Sequence, residues 1–286
     1  MDGTVYLNGE YLPADQAKVS VFDRGFLFGD GVYEVLPVIQ GKLVDRQYCL
    51  ERLRNSLKEL SLSWPCAEGE FLRILQSLAD RNGLKEGYVY TQITRGVAPR
   101  NFNFPADTAV TVMAFCSAKN ILDDPLAASG VSVVTVPDWR WKRRDIKSIN
   151  LLAQCLGKQQ AVEKNATEGW MVEDGYVTEG TSSSAFIVLK NVLVTRPLTN
   201  AILPGIRRRV ILETAQQQGL RVEQRLFTVA EALAAEEAFL SSATTLVLPV
   251  VAIDGQAIGD GKPGKLTRQL RELYRAAVLR EAASQQ

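Results

Sequence analysis

The chain has 286 residues, with 33 Lys and Arg against 32 Asp and Glu, four cysteines and no histidine. This length suggests about two domains of roughly 150 residues each, and 46% hydrophobic with 23% charged residues is typical of a folded globular protein. The near-zero net charge argues against a nucleic-acid-binding surface. The absence of histidine excludes Ser-His-Asp and Cys-His catalysis and histidine-ligated metal sites.

The cysteines Cys49, Cys66, Cys116 and Cys155 are far apart and form no CxxC pair. This spacing disfavours a zinc site and a disulfide framework, so we expect buried free thiols in a reducing compartment. The N-terminus lacks a basic segment followed by an apolar one, and no stretch reaches the ~18 apolar residues that span a bilayer. These features predict a cytoplasmic protein.

The first part of the chain predicts strands and then helices. Strand-type segments lie at 5–7, 11–12, 32–39 and 42–44. Leu50, Leu53 and Leu57 recur at helical spacing, and a second helix containing Phe71 and Leu75 ends before a glycine at 83. Strands follow at 88–95 and 109–116. We therefore predict an N-terminal α/β domain at 1–118 and, from the turn-rich composition that follows, a linker at 119–130.

The C-terminal domain is predicted at 131–286. It opens with a β-branched strand at 131–136, and a helix follows at 150–164 with Leu152, Cys155, Leu156 and Gln159 along one face. Hairpin turns are predicted at Asp174-Gly175, Lys190-Asn191 and Asp254-Gly255. One helix is predicted at 206–217, a second begins after the Thr228/Glu231 capping box, and a third is predicted at 265–282.

Without histidine, a lysine is the group best suited to act as both nucleophile and base. Lys147 is the candidate, because five cations fall within residues 140–147 and their mutual repulsion favours a neutral, nucleophilic amine. The alternative is a solvated basic loop. Two further elements carry chemistry: Glu179, at the end of a strand and followed by hydroxyl residues, and the Pro-Gly turn that opens the helix at 206.

A helix N-terminus can hold a phosphate with its free N–H groups. The cations at 207–209 oppose the helix dipole there, a cost that a bound anion would offset; the alternative is a helix with a cationic first turn. A nucleophilic lysine, a lone carboxylate and such a helix start together match the needs of pyridoxal 5′-phosphate (PLP).

Four motifs, in order, carry a resemblance to a known family: DRGFLFGDGVYE at 23–34, DIKSINLL at 145–152, and the segments around Glu179 and Gly205. The chain resembles the fold-type IV PLP enzymes, from about residue 6 to residue 274. Within them it is most similar to the D-amino-acid aminotransferases, because TRGVAPR at 94–100 matches that subgroup's RGxxPR segment. The resemblance implies an α/β (α+β) fold of two domains with the cofactor in the cleft, a C-terminal pseudo-barrel domain, and a homodimer.

The resemblance also implies roles for individual residues. Lys147 would form the Schiff base with PLP and carry the proton between the substrate Cα and the cofactor, and Glu179 would keep the pyridine nitrogen protonated. Arg52 would bind the phosphate; its alternative is a solvent-facing helix residue. The full cofactor-binding set is Arg52, Lys147, Glu179, Ser182, Ser183, Leu203, Gly205, Ile206, Arg207, Ser242, Ala243 and Thr244.

Tyr33 and Arg100 match the positions that bind the substrate carboxylate, but Phe102 stands where the subgroup usually has a histidine. The loss of one donor weakens carboxylate binding by about 1 to 3 kcal/mol if the group stays unpaired, unless Asn101 or Asn103 replaces it. Phe102 would favour a bulkier or more apolar substrate, or an amine without a carboxylate. Three cofactor-site residues also depart from the family: Arg207 and Ala243 replace threonines, and Ser184 replaces a frequent asparagine.

The resemblance predicts PLP-dependent transamination of D-amino acids such as D-alanine, with 2-oxoglutarate or pyruvate as acceptor. Aminodeoxychorismate lyase and branched-chain L-amino-acid aminotransferase are alternatives of the same fold, and the RGxxPR segment argues against both. An (R)-amine transaminase is a further alternative. A protein that binds PLP without catalysis is the alternative from another functional class, although every chemical group that the reaction needs is present.

Overall fold

A computed structural model describes residues 3–285 and groups them into two units. The first unit contains the described residues of Met1–Asn120, together with the later segments Ile146–Asn150 and Val278–Gln286. The second contains Ile121–Asp145 and Leu151–Ala277. The sequence did not indicate the two later segments of the first unit.

The domain limits 1–118, 119–130 and 131–286 stay a prediction, and residues 1, 2 and 286 lie outside the described part. The segment predicted as a linker contains a one-turn helix, α4 (Leu126–Ser129). None of the helices within residues 3–285 combines the length and the apolar composition needed to cross a membrane.

In the part of the chain that the structure describes, the first unit contains a six-stranded antiparallel sheet. Its strands are β1 (Thr4–Leu7), β2 (Glu10–Pro13), β3 (Gly31–Ile39), β4 (Lys42–Leu43), β5 (Gly87–Thr94) and β6 (Thr111–Ala118). Their spatial order is β2-β1-β6-β5-β3-β4. The register of β3 and β5 runs from Gly31 opposite Thr94 to Val38 opposite Gly87, so Tyr33 and Glu34 lie well inside the sheet.

Among the described residues, this unit also contains the helices α1 (Arg24–Phe28), α2 (Arg46–Glu59) and α3 (Glu68–Arg81), together with the end of a later helix. The helices α2 and α3 bury the apolar residues whose spacing predicted them, including Leu50, Leu53, Leu57, Phe71 and Leu75. Each such buried side chain stabilises the fold by about 1.5–3 kcal/mol. Both predicted helices are confirmed.

The second unit contains, among the described residues, a nine-stranded mixed sheet. Its strands are β7 (Val131–Pro137), β8 (Glu168–Glu173), β9 (Tyr176–Gly180), β10 (Ser184–Leu189), β11 (Val192–Thr195), β12 (Arg221–Gln224), β13 (Glu237–Ser242), β14 (Leu246–Ile253) and β15 (Gln256–Ala257). The spatial order is β12-β11-β10-β13-β14-β7-β8-β9, with β15 beside β14. The pairs β7·β8, β7·β14 and β11·β12 are parallel, and the others are antiparallel.

The other helices are α5 (Leu152–Glu163), α6 (Ile206–Gln217), α7 (Val229–Leu233) and α8 (Lys265–Ala283), whose residues from Val278 onward group with the first unit. The core of the second unit includes Trp170 and Phe227, which meet edge to face at 6.4 Å. The capping box of Thr228 and Glu231 is present at the start of α7. The α/β (α+β) class predicted from the sequence is confirmed.

The three predicted hairpin turns are confirmed. Both turn residues have positive φ at Asp174-Gly175, Lys190-Asn191 and Asp254-Gly255, and these turns join β8 to β9, β10 to β11 and β14 to β15. Two left-handed residues in a row match the right-handed twist of the flanking strands. The hairpin residues therefore encode the turns locally.

The predicted helix is confirmed as α5, but the face that carries Leu152, Cys155, Leu156 and Gln159 is its exposed face and not its buried one. Leu152 and Leu156 are 75% and 47% exposed, and the buried positions are Gly157 and Ala161. A Cβ at Gly157 would lie 2.9 Å from Thr181 Cγ2. The helix approaches its sheet so closely that only small residues fit, and hydrophobic spacing cannot detect such a face.

The expectation of four buried thiols is correct only for Cys49. All four cysteines are free, but Cys66 and Cys116 are partly buried and Cys155 is exposed. Cys155 lies on the same exposed face of α5 as Leu152 and Leu156, which is why its thiol is not buried.

Candidate active site

Lys147 belongs to the short segment Ile146–Asn150 of the first unit, which runs beside β3. Its carbonyl accepts a hydrogen bond from Tyr33 N–H at 3.0 Å, and its own N–H donates to Ser56 Oγ of α2 at 3.2 Å. Its Nζ lies 4.2 Å from the centroid of the Tyr33 ring. The main chain is thus held on two sides, and the amine lies on one aromatic face, where a cation is stabilised.

Tyr33 is the first ring of an aromatic stack. Its ring lies 5.5 Å from that of Tyr90, and Tyr90 lies 4.9 Å from Phe115, both in stacked orientation. The Tyr90 hydroxyl donates to Gln92 Oε1 at 2.9 Å. Burial, with a smaller contribution from Tyr33, raises the pKa of Tyr90, so this hydroxyl stays protonated at neutral pH. The stack supports the Tyr33 ring along the sheet and limits its movement beside Lys147.

Arg52 is buried and forms a two-pronged ion pair with Glu34 of β3. Its Nε and Nη2 donate to Glu34 Oε1 and Oε2 at 2.7 and 2.8 Å, and Glu34 is fully buried. Burial opposes the charge of Arg52, but the attraction of Glu34 is stronger and the pKa of Arg52 rises. The solvent-facing alternative for Arg52 is therefore wrong, because α2 turns this side chain toward the sheet.

The motif at 23–34 builds a second buried ion cluster. Arg24 and Arg95 both donate from Nε to Asp30 Oδ2 at 2.8 Å. Burial raises the pKa of Asp30, but the hydrogen bonds from Arg95 and Arg24 outweigh it and hold this pKa below its usual range. Asp23 caps α1 by accepting from Gly25 N–H at 2.8 Å, and Gly29, with φ of 66°, ends it. These residues therefore shape a tight helix and turn ahead of β3.

Arg100 and Phe102 lie on an exposed loop. Phe102 is 78% exposed, and its ring lies 5.6 Å from that of Phe28. The Arg100 guanidinium carbon lies 5.4 Å from the Phe28 centroid and 5.6 Å from that of Phe102. Within residues 3–285, no hydrogen bond or ion pair joins Arg100 to Tyr33 or Lys147. Among the described residues, the ring of Tyr33 contacts Lys147, whereas the ring contacts of Arg100 and Phe102 are with Phe28 and with each other.

This loop is held through its main chain rather than through Arg100. Arg24 Nη1 donates to the carbonyl oxygens of Asn101 and Asn103. The side chain of Asn101 accepts from Asn103 N–H at 3.1 Å. The Asn101 side chain, expected as an alternative donor, therefore closes the loop on itself through its oxygen.

Glu179 lies in the second unit, at the end of β9, and is 5% exposed. It accepts hydrogen bonds from Arg140 Nη1 and from Leu203 N–H, the latter at 3.0 Å to Oε1. Burial raises the pKa of Glu179, and Arg140 and the Leu203 N–H partly offset this effect. Leu203, predicted in the cofactor site, thus contacts Glu179 through its main chain.

Arg140 is held between two carboxylates. Its Nε and Nη2 donate to Asp138 Oδ1 and Oδ2 at 2.9 and 2.7 Å. Asp138 also accepts from Thr178 Oγ1 at 2.6 Å and pairs with Arg144 at 3.1 Å. Although burial raises the pKa of Asp138, these donors outweigh it and lower that pKa. The chain of contacts from Asp138 through Arg140 fixes one oxygen of Glu179.

The cations that precede Lys147 are all ion-paired. Arg143 pairs with Asp145, while Lys142 and Arg144 both pair with Glu173. Hydrogen bonds from Arg144 and Lys142 lower the pKa of Glu173 to about 2. The uncompensated cation cluster inferred from the sequence is therefore absent from the described chain, because each neighbour of Lys147 has a carboxylate partner.

The hydroxyl residues after Glu179 surround a buried acid. Thr181 Oγ1 donates to Glu168 Oε1, and Ser182 and Ser183 donate to Glu168 Oε2 at 2.8 and 3.4 Å. The loop after β9 is thus fastened to β8. Ser184 lies close to Gly205, where a Cβ would be 2.6 Å from Ser184 Oγ. A larger residue at this start of α6 would require the Ser184 hydroxyl to move.

The start of α6 and the turn after β13 carry donors suited to an anion. Gly205 provides no side-chain cap, and the carbonyl of Gly205 accepts from Arg209 N–H at 3.0 Å. The N–H groups of a first helical turn, here those of Ile206 and Arg207, point out of the helix at its N-terminal end. In the turn after β13, the hydroxyls of Ser242 and Thr245 lie 3.0 Å apart.

Sequence reasoning missed several residues that the structure places against the candidates: Glu34, Asp138, Arg140 in its contact with Glu179, Glu168 and Tyr274. One signal was available. A single acid inside an otherwise apolar predicted strand, as at Glu34, indicates a buried charge that needs a partner. The identity of the partner depends on the tertiary structure.

Known proteins show similarity over nearly the whole chain. A family model described as amino-transferase class IV matches residues 31–253. A D-alanine aminotransferase of Bacillus licheniformis is 39% identical over 281 residues, which are 98% of each chain. One of Staphylococcus haemolyticus is 40% identical over 269 residues, or 94% of this chain and 95% of that one.

Solved structures agree. A T.th. branched-chain amino acid aminotransferase, crystallised with pyridoxamine 5′-phosphate, superposes with a TM-score of 0.89 at 25% identity, covering 97% of this chain and 94% of that one. The branched-chain amino acid aminotransferase from Escherichia coli has a TM-score of 0.87 at 23% identity over 97% and 95%, a likeness of fold. These matches confirm the fold-type IV resemblance, and the chain belongs to the class IV aminotransferase family.

Proposed function

We propose that this protein transfers the amino group of D-amino acids such as D-alanine to 2-oxoglutarate or pyruvate, as a PLP-dependent aminotransferase. The observation that carries the proposal is the 39–40% identity, over at least 94% of both chains, to proteins named D-alanine aminotransferase. The branched-chain enzymes are structural neighbours at 25% identity or less. The D-amino-acid assignment is therefore preferred.

The donor set of this chain fits PLP. The start of α6 and the hydroxyl-rich turn at 242–245 offer N–H and O–H donors to a phosphate, and Glu179 offers a buried carboxylate to a protonated ring nitrogen. When bound, PLP withdraws electrons from the substrate Cα and thereby stabilises the carbanion. The residues proposed for the phosphate are Gly205, Ile206, Arg207, Ser242, Ala243 and Thr244, together with Arg52.

Lys147 Nζ is proposed to bond the cofactor and to move the proton at the substrate Cα. Its main chain is fixed by Tyr33 and Ser56, and its amine lies on the Tyr33 ring. A base held in this way reaches one side of a substrate, as stereospecific proton transfer requires. The proposal needs no histidine.

Glu179 is proposed to hold the proton at the ring nitrogen. Burial raises the pKa of this carboxyl, whereas Arg140 and the Leu203 N–H favour its charged form. A bound pyridinium would add a further positive partner and favour the carboxylate more strongly. Ser182 and Ser183, through Glu168, are proposed to support the loop that follows Glu179.

Arg52 is proposed to bind the cofactor phosphate, with Glu34 setting the plane of its guanidinium. Two of its nitrogens donate to Glu34. A carboxylate that binds one edge of a guanidinium orients the other N–H donors of that guanidinium, and this lowers the entropy lost when an anion binds. Tyr33, Arg100 and Phe102 are proposed to contact the substrate, and Arg100 is proposed to form an ion pair with the substrate carboxylate.

A homodimer in the cytoplasm is also proposed. Free cysteines are typical of a reducing compartment. In the first unit Phe26, Phe102 and Phe104 are 72%, 78% and 58% exposed. Exposed apolar groups that adjoin one another are typical of interaction surfaces. Light scattering of the purified protein tests the dimer.

The deciding experiment is the absorbance spectrum of the PLP-saturated protein before and after separate additions of D-alanine, L-alanine, L-leucine and an (R)-amine. Conversion of the cofactor to its pyridoxamine form by D-alanine and not by L-alanine is expected. Conversion only by L-leucine or only by the amine would replace the D-amino-acid assignment. If none converts the cofactor, release of 4-aminobenzoate from aminodeoxychorismate would indicate the lyase, and no reaction would indicate a carrier.

A further inference from the structure

The side chain of Arg207 joins three elements of the second unit. It is 3% exposed and stands in the first turn of α6. Its Nη2 donates to the carbonyl of Ala243 at 3.1 Å, and its Nη1 donates to the hydroxyl of Tyr274 on α8. The guanidinium carbon also lies 4.9 Å from the Tyr274 ring centroid. A threonine, the residue expected here from the resemblance, is too short to make these contacts.

Ala243 belongs to the turn at 242–245 that follows β13, whose Ser242 and Thr245 hydroxyls are linked. The α6 start and this turn are separate in sequence by more than 30 residues. They are the two segments proposed above to hold the cofactor phosphate. Arg207 is part of one segment and donates a hydrogen bond to the other, so it connects both sides of this proposed phosphate site.

We propose that Arg207 is a positioning residue for the cofactor phosphate. It keeps the turn at 242–245 at a fixed distance from the N–H groups of α6, and Tyr274 fixes the plane of its guanidinium. This inference rests on the proposed function, in which these two segments bind the phosphate. Donors held in place before binding lose little entropy when the anion arrives, which tightens phosphate binding.

The same helical turn contains a matched control. Arg209 also carries a cation near the start of α6, but its side chain is 49% exposed and pairs with Glu213 at 3.0 Å. If the general positive charge of this turn mattered, both arginines would contribute. If the connection to the turn at 242–245 matters, only Arg207 and its partner Tyr274 contribute to the affinity for the phosphate.

The test compares the affinity of the cofactor-free protein for PLP with its affinity for pyridoxal, which lacks the phosphate. Both form the same bond with the lysine, so the ratio of affinities isolates the phosphate. Arg207→Gln should lower this ratio about tenfold or more, the scale of a lost charge-assisted hydrogen bond. Tyr274→Phe should lower it about threefold, because it removes only one of the contacts that hold the Arg207 guanidinium. Arg209→Gln should leave the ratio unchanged.

If Arg207→Gln leaves the ratio of the two affinities unchanged, whether or not it weakens the binding of PLP and pyridoxal equally, the proposal is overturned and Arg207 is a general contributor to folding. Equal effects in Arg207→Gln and Arg209→Gln would also overturn it. If Arg207→Gln does not fold, the ratios of Arg207→Lys and Tyr274→Phe decide, and both should fall. A wild-type protein that binds PLP no more tightly than pyridoxal would instead contradict the proposed phosphate site itself.

Discussion

The Glu34–Arg52 pair and the loop that carries Arg100 are both parts of the first unit, yet they are built in opposite ways. Glu34 is fully buried and both of its oxygens accept from Arg52, whereas Phe102 beside Arg100 is 78% exposed. A buried charge pair tolerates little change, because removal of one partner leaves the other unpaired in a medium of low polarity. An exposed loop residue changes with little effect on folding.

The difference indicates how specificity can vary while the chemistry stays the same. The groups proposed for the reaction are Lys147, Glu179 and Arg52, and each is fixed by buried or half-buried partners. Arg100 and Phe102, proposed for substrate recognition, belong to a loop fixed mainly by Arg24 through two carbonyl groups. In many proteins a rigid scaffold positions variable loops that carry the binding residues. Phe102, which stands where the subgroup usually has a histidine, lies in such a loop and not among the groups proposed for the reaction.

The largest expected effect is on the chemistry. Lys147→Ala should lower the rate of D-alanine transamination on the order of 10⁴-fold, because the group that moves the proton is removed. The thermal transition should change little, since the Lys147 contacts to Tyr33 and Ser56 are made by its main chain. Steady-state kinetics and circular dichroism measure the two effects. Lys142→Ala, at an 81% exposed side chain, is the control that should keep its activity; full activity of Lys147→Ala would remove this lysine from the site.

The next effect is on stability. Glu34→Gln should lower the free energy of unfolding by about 3–5 kcal/mol, because Arg52 would be left with a neutral partner in a buried place. Urea unfolding at neutral pH measures it. Glu68→Gln is the matched comparison, because Arg54 and Glu68 have the same two-pronged geometry, both bonds being 2.8 Å, at the surface. Similar losses in the two variants would contradict the contrast between buried and exposed pairs.

A smaller effect is expected at the exposed loop. Phe102→His should lower the KM for D-alanine by up to about tenfold, the scale of one added hydrogen bond, and should leave kcat and the unfolding free energy nearly unchanged. Phe104→His is the control, because it makes the same phenylalanine-to-histidine change at a 58% exposed position of the same loop and should leave the KM unchanged. A large fall in kcat for Phe102→His would show that this loop shares in the chemistry.

The smallest effect is on the pH dependence of stability. The pKa of Glu173 is lowered to about 2 from its ordinary value of 4.5, so its contribution to stability is present above pH 4.5 and is lost as the pH falls toward 2. Urea unfolding of wild type and Glu173→Gln between pH 6 and 3.5 should therefore show a difference that narrows as the pH falls. A difference that does not depend on pH would mean that Glu173 acts by packing and not by charge.

Much of the local structure could be predicted from the sequence. The leucine spacing of α2, the capping box at Thr228 and the hairpin at Asp174-Gly175 depend on neighbours within a few residues, and all are confirmed. The exposed face of α5 could not be predicted, because it depends on how closely the sheet approaches Gly157. The motifs also predicted the family, which the comparisons confirm.

The sequence by itself determined the helices other than the short α1 and α4, the hairpins, the family and which residues are candidates for chemistry, since local backbone preferences and motif order suffice for these. The tertiary structure decided which charges meet. Arg52 reaches Glu34 across 18 residues, and Arg140 reaches Glu179 across 39. It also showed that Lys147 lies on the Tyr33 ring and that the cations before it are paired. Such pairings depend on strand order and on burial, which strengthens the interaction between charges, and neither quantity can be read from spacing along the chain.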